Sequence, residues 1–120
     1  MRVAVTGGRK YPFRQRIFQA LDKLHATVGI EAIIEGGAED GADKFAREWA
    51  EAHGMQPETY KADWTRYGNP AGPIRNEEMI RESRPDVCLG FPTPGEKNKG
   101  TRNCMSIARK AGVEVVEISP

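Results

Sequence analysis

The sequence predicts an α/β protein: a parallel five-stranded sheet with helices on both faces, of the Rossmann-like kind. Three observations predict it. Short β-branched runs alternate with stretches of helical periodicity along the chain, most connections between them are short, and several strands run straight into glycine-rich turns. A parallel connection must bring the chain back to the same end of the sheet, and a crossover helix does this. No repeat, linker or low-complexity stretch interrupts the pattern. The length, 120 residues, is usual for one domain, so residues 1–120 are read as a single one.

The elements follow in order. Residues 2–6 (RVAVT) are a β-branched run that stops at Gly7-Gly8, which predicts a strand and a turn. In residues 14–26, Ile17, Phe18, Leu21 and Leu24 recur at helical spacing, and Gly29 ends the helix. Residues 30–35 (IEAIIE) predict a second strand that runs into Gly36-Gly37. A helix over 41–53 places Ala42, Phe45, Ala46, Trp49 and Ala50 on one face, with Gly54 beyond its end. Residues 56–61 carry Pro57 and predict a weak edge strand. Residues 62–73, with their prolines, glycines and aromatics, predict a loop; it is long for a compact fold, and long ordered loops often carry function. Pro73 suits the first position of a helix reaching Ser83, and Pro85 stops it. A fourth strand over 86–91 (DVCLGF), a loop over 92–99, a helix over 101–111 ending at Gly112 and a fifth strand over 114–118 complete the chain.

Composition narrows the function classes. The net charge is +1, from 18 basic and 17 acidic side chains, so no long-range field draws the chain to nucleic acid or to an anionic membrane. The expected partner is a small molecule held by local geometry. No apolar run approaches the ~20 residues that span a bilayer. The chain opens on an apolar strand without the layout of a signal peptide, which predicts a cytoplasmic protein. Cys88 and Cys104 have no His or Cys partners at metal-ligand spacing, and are read as reduced thiols packed as small apolar side chains. His25 and His53 read as helix-face residues without partners. No metal or cofactor is expected.

In an open parallel sheet, ligands sit beyond the carboxyl ends of the strands, where strand order reverses. The strand-to-helix turns are therefore the candidate site: Gly7, Gly8 and Arg9 in the first, Gly36, Gly37 and Ala38 in the second, and Gly100 and Thr101 after the fourth strand. Glycine lets backbone N–H groups approach a ligand, and a helix start adds unpaired donors and about half a positive charge. One such turn is as readily a plain tight turn; several on one sheet edge make an anion cradle. The fourth lacks the lysine that a P-loop places before its threonine, which argues against nucleoside triphosphate hydrolysis. Arg75 and Asn76 lie in the first turn of a predicted helix, where arginine opposes the helix dipole. A bidentate phosphate would compensate it, as would Glu78 or Glu82 at the surface. Asp43 is a helix-start carboxylate or a hydrogen-bond acceptor for a ribose or a neighbouring loop. Asp63-Trp64 and Tyr67 offer a stacking wall for a base, with Trp64 as a plain core anchor the alternative.

The segments MRVAVTGGR, ALDKLHATVGI, GGAEDGADKFAREWA, ADW, AGPIRNEEMI, RPDVCLGFP and GTRNCMSIARKAGVEV run in order along nearly the whole chain. In this order they resemble the YspA-type branch of the SLOG superfamily, Rossmann-like nucleotide binders of bacteria and phages related to the Lonely-guy phosphoribohydrolases. Those hydrolases cleave the N-glycosidic bond of a nucleoside monophosphate. They carry an arginine four residues before a methionine, matched here by Arg75 and Met79, and a PGGxGTxxE loop, matched at Gly100 and Thr101. Where that loop has its catalytic glutamate, this chain has Cys104. Its loop, PTPGEKNKGT, is also longer, and GGAEDGAD carries one extra residue. The resemblance implies pairing of copies through helices beside the site; Phe45, Trp49 and Met79 are candidates for such a surface or equally for the core. The preferred reading is a binder or sensor of a nucleoside monophosphate or ADP-ribose type of ligand. The alternative is an N-glycosidase-type hydrolase in which Glu77, Glu39 or Asp43 replaces the missing acid, and a scaffold without ligand is the third reading.

Overall fold

The structure, a computed structural model, describes residues 1–120. β1 (Arg2–Gly7) is the central strand, and its apolar residues are buried on both faces. β2 (Ala32–Glu35) pairs with it on one side and β4 (Val87–Phe91) on the other, both parallel. β3 (Glu58–Thr59) and β5 (Glu114–Glu117) form the edges, giving the order β3-β2-β1-β4-β5 with every pair parallel. The chain moves one way through β1, β2 and β3, crosses back, and moves the other way through β4 and β5. Strand order therefore reverses between β1 and β4.

Side chains alternate across this sheet and build two cores. On one face, Val3, Val5, Ile33, Leu89 and Phe91 pack against Ile17 and Leu21 of α1 (Arg14–Val28) and Ala46, Trp49 and Ala50 of α2 (Ala42–Ala52). On the other, Ala4, Ile34 and Cys88 meet Met79 and Ile80 of a helix over Ala71–Ser83 and Cys104 and Ala108 of a helix over Lys99–Lys110. Helices thus cover both faces, as the buried strands β1, β2 and β4 require.

The structure corrects the loop predicted over 62–73. A one-turn helix, α3 (Trp64–Tyr67), occupies part of it, with Asp63 accepting from the Arg66 N–H at 3.0 Å as its cap. The next helix, α4 (Ala71–Ser83), starts at Ala71, so Pro73 is its third residue rather than its first. The early N–H groups of a helix have no acceptor inside it, and a proline costs no hydrogen bond at any of those positions. The last helix, α5 (Lys99–Lys110), also starts earlier than the periodicity predicts, after Asn98 in a left-handed conformation (φ 56°). Trp49 and Met79 are fully buried in the two cores, which removes them from the candidate pairing surface, while Phe45 is half-buried against the first core. The histidines have partners: His25 Nδ1 accepts from the Ile30 N–H at 2.8 Å, and His53 stacks on Trp49 at 3.9 Å.

Candidate functional site

A cavity of about 1110 Å³ lies beyond the carboxyl ends of the strands, across the β1/β4 reversal. The glycine-turn and polar residues predicted for the site line it: Gly7, Gly8 and Arg9 after β1, Gly36, Gly37 and Ala38 after β2, Asp43 in the first turn of α2, Arg75 and Asn76 in α4, and Gly100 and Thr101 in the first turn of α5. Of the predicted stacking wall Trp64 lines it, whereas Asp63 and Tyr67 do not. The sheet topology alone brings these distant segments together. Lys10, Lys61 and Lys99 join Arg9 and Arg75 as cations around the cavity, and Glu39, Asp40 and Glu96 join Asp43 as carboxylates.

The turns differ in what their backbone has left to offer. In the second, the Gly37 N–H already donates to Glu35 Oε1 at 2.7 Å and the Ala38 N–H to Asp43 Oδ2 at 3.1 Å. Glu35 is wholly buried; its Oε1 also accepts from Arg47 Nη1 at 2.8 Å, and its Oε2 accepts from the Thr59 hydroxyl. This buried, charge-assisted cluster locks the turn from within, so Gly37 and Ala38 are not free donors. By contrast, the N–H groups of Gly8, Arg9, Gly100 and Thr101 donate to no protein acceptor. The first turn is held by its carbonyl: Gly8 O accepts from the Tyr11 and Ala42 N–H groups, each at 3.2 Å. Tyr11 is buried edge-on between Phe13 and Phe91, which anchors the loop behind the exposed Arg9-Lys10 tip. The last turn is stapled by Asn98, whose side chain accepts from the Thr93 N–H at 2.8 Å and donates to the Thr93 and Glu96 carbonyls at 3.0 Å.

Arg75 is half-buried and its guanidinium is partly used by the protein. Nη1 donates to the Gly36 carbonyl at 2.5 Å and Nε to Asn76 Oδ1 at 2.8 Å. These contacts, not Glu78 or Glu82, compensate the arginine at the helix start, and Nη2 donates to nothing in the chain. Gly36 is glycine because of this approach: a Cβ there would overlap the guanidinium and lie 3.1 Å from Asp43 Oδ2. Asn76 in turn donates to Asn103 Oδ1 at 3.0 Å, tying α4 to α5. Asp43 is 7% exposed. Burial, with Glu35 adding repulsion, pushes its carboxyl up to about 6, against the pull of the Ala38 N–H, Arg75 and Arg47.

A family model described as the YspA, cpYpsA-related SLOG family (YAcAr) matches residues 1–67. The chain belongs to this family. The matched half carries the first two turns and Asp43; Arg75, Asn76, Gly100 and Thr101 lie beyond it. The Gene 61 protein of Mycobacterium phage D29 is 41% identical over 121 residues, covering 96% of this chain and 94% of that protein. Among solved structures, a UDP-N-acetylglucosamine 2-epimerase matches 97% of the chain with a TM-score of 0.60 and 13% identity. A second, from Listeria monocytogenes and described as a putative enzyme of the same name, matches 97% with a TM-score of 0.55 and 14% identity. The chain spans only 32% and 29% of their lengths, and at such identity the likeness is one of fold. This SLOG-family chain thus has a Rossmann-like, nucleotide-binding-type fold. No helix is long and apolar enough to cross a membrane.

Several residues around the cavity carried little sequence signal. Asn98 and Asn103 are polar residues in or beside a turn, and nothing in their spacing sets them apart. Trp64 is 48% exposed and lines the cavity, which removes the core-anchor alternative. Cys104 is fully buried and does not line the cavity. It shares the second core with Cys88, and the neighbouring sulfur together with burial pushes the Cys88 thiol up.

Proposed function

We propose that the chain binds a nucleotide-derived small molecule, of the nucleoside monophosphate or ADP-ribose type, in this cavity and acts as a binder or sensor. One observation carries the reading. Two separate turns, at Gly8-Arg9 and at Gly100-Thr101, bring unpaired N–H groups to the cavity that also holds Arg75, and one of them opens a helix. Such donors, with a helix dipole behind them, favour phosphate. The glycosidase acid of related enzymes has no equivalent here, since Cys104 is buried away from the cavity.

A hydrolase reading keeps one specific support. Of the carboxylates that could replace the missing acid, Glu77 is exposed and lies off the cavity, and Glu39 lines it but is solvated. Asp43 lines it, is buried, and with its carboxyl raised to about 6 still carries a proton in part of its population near neutral pH.

The test is a thermal-shift screen against AMP, UMP, ADP-ribose and dinucleotides, with each hit followed for breakdown by chromatography. Ligand at a hundredfold its dissociation constant stabilises the fold by about 2.7 kcal/mol, which is readily seen. Arg75→Ala is expected to weaken binding about tenfold or more under both readings. A shift with intact ligand supports the sensor. Released base that disappears in Asp43→Asn establishes the hydrolase, and the absence of any shift overturns the nucleotide pocket.

A further inference from the structure

Trp64 is one of two tryptophans, and the two are placed oppositely. Trp49 is wholly buried and its indole N–H donates to Asp22 at 2.9 Å. Trp64 stands at the rim of the cavity, 48% exposed, in a one-turn helix capped by Asp63. Its ring edge leans on the start of α4, where a Cβ on Gly72 would meet Cη2 at 3.5 Å. The Arg9 guanidinium lies over its face, 5.6 Å from the ring centroid. At that distance the guanidinium is not in stacking contact, and with the indole half exposed the face is open to a flat ligand. Arg9 also carries one of the unpaired backbone N–H groups, so the ring and a phosphate donor belong to the same cavity.

We infer that Trp64 is the platform for the base of the ligand, with Arg9 closing on the other face of the base; this rests on the nucleotide reading above. Two stacking contacts of about 3.5 Å need roughly 7 Å between tryptophan and guanidinium, so from 5.6 Å Arg9 must withdraw by at least about 1.4 Å. Arg9 is exposed at a loop tip and its long side chain can make that move. Every base presents a π-face, so the platform contributes affinity for any nucleotide, and more for a purine than for a smaller pyrimidine. The backbone N–H groups and Arg75 then hold the phosphate end, and the two ends of the ligand are recognised by different physics.

The experiment titrates AMP and ribose 5-phosphate into the wild type, Trp64→Ala and Trp64→Phe, reading intrinsic fluorescence and affinity. AMP is expected to quench the exposed tryptophan's emission in the wild type, whereas ribose 5-phosphate does not. Trp64→Ala should lose about tenfold to a hundredfold in AMP affinity with ribose 5-phosphate unchanged, and Trp64→Phe should retain most of the AMP affinity. Trp64 lies outside both cores, so the unliganded midpoint of Trp64→Ala should match the wild type; the wild-type quenching serves as a readout that needs no variant. Equal wild-type affinity for AMP and ribose 5-phosphate, absence of quenching on AMP binding, or unchanged AMP affinity in Trp64→Ala overturns the platform while leaving the nucleotide pocket standing. A wild type that binds no nucleotide overturns both.

Discussion

Asp43 shows how one side chain serves the turn and the cavity together. Its carboxylate accepts from the Ala38 N–H and meets Arg75 across Gly36, yet burial and the neighbouring Glu35 raise its carboxyl from 3.8 to about 6. A raised value means that the folded chain holds this proton more firmly than the unfolded chain. The associated stability is therefore complete below about pH 4 and is lost as pH rises through about 6. A displacement of this size corresponds to roughly 3 kcal/mol. Asp43→Asn keeps an acceptor for Ala38 and removes the titration. Urea unfolding from pH 4 to pH 7 should show the wild type losing about that much stability relative to Asp43→Asn. A difference that stays flat with pH would mean that Asp43 ionises as an ordinary surface carboxylate.

At the scale of elements, glycines that look alike in sequence have different jobs. Gly7 closes β1 where α2 begins: a Cβ on it would lie 2.5 Å from Ala42 Cβ and 3.0 Å from the Phe91 carbonyl oxygen, neither of which can swing away. Gly100 opens α5 with nothing within 4 Å of an added Cβ. Gly7→Ala should therefore destabilise by about 1–3 kcal/mol through overpacking. Gly100→Ala should be neutral or stabilising by up to about 1 kcal/mol, since alanine is the better helix former. Chemical unfolding of the two variants decides it, and a costly Gly100→Ala would show that the cavity is not open at α5. The sequence could not separate the two glycines, because what distinguishes them is the partner across space. It did mark both turns, the first because a β-branched run stops at glycine and the last because Gly100-Thr101 resembles the end of a phosphate-binding loop. The same limit explains the loop predicted over 62–73. A single turn such as α3 has no periodicity to read, and its Asp63 cap is visible only in the structure. The longer helices and the buried strands were legible because Ile17 and Leu21, or Val3 and Val5, repeat at the period of the element they build.

For the whole molecule, the decisive feature is the reversal of strand order between β1 and β4. It sets Gly8-Arg9, which follow β1, against Gly100-Thr101, which follow β4 by way of the Asn98-stapled loop, though the chain separates them by most of its length. Neither turn alone distinguishes a ligand site from a tight turn, and the case for one cavity depends on both meeting the same molecule. With a net charge of +1, there is no general field to collect anions elsewhere on the surface. Amide NMR of the labelled protein during titration with AMP or ADP-ribose therefore has a sharp expectation. The resonances of Gly8, Arg9, Gly100 and Thr101 should move together along one binding curve, because their N–H groups have no protein acceptor. Those of Gly37 and Ala38 should move far less, since their donors are already held by Glu35 and Asp43. Shifts confined to a single turn, or following separate curves, would break the cavity into independent anion contacts. Shifts led by Gly37 and Ala38 would mean that the ligand displaces the buried carboxylates, and the second turn would become the heart of the site.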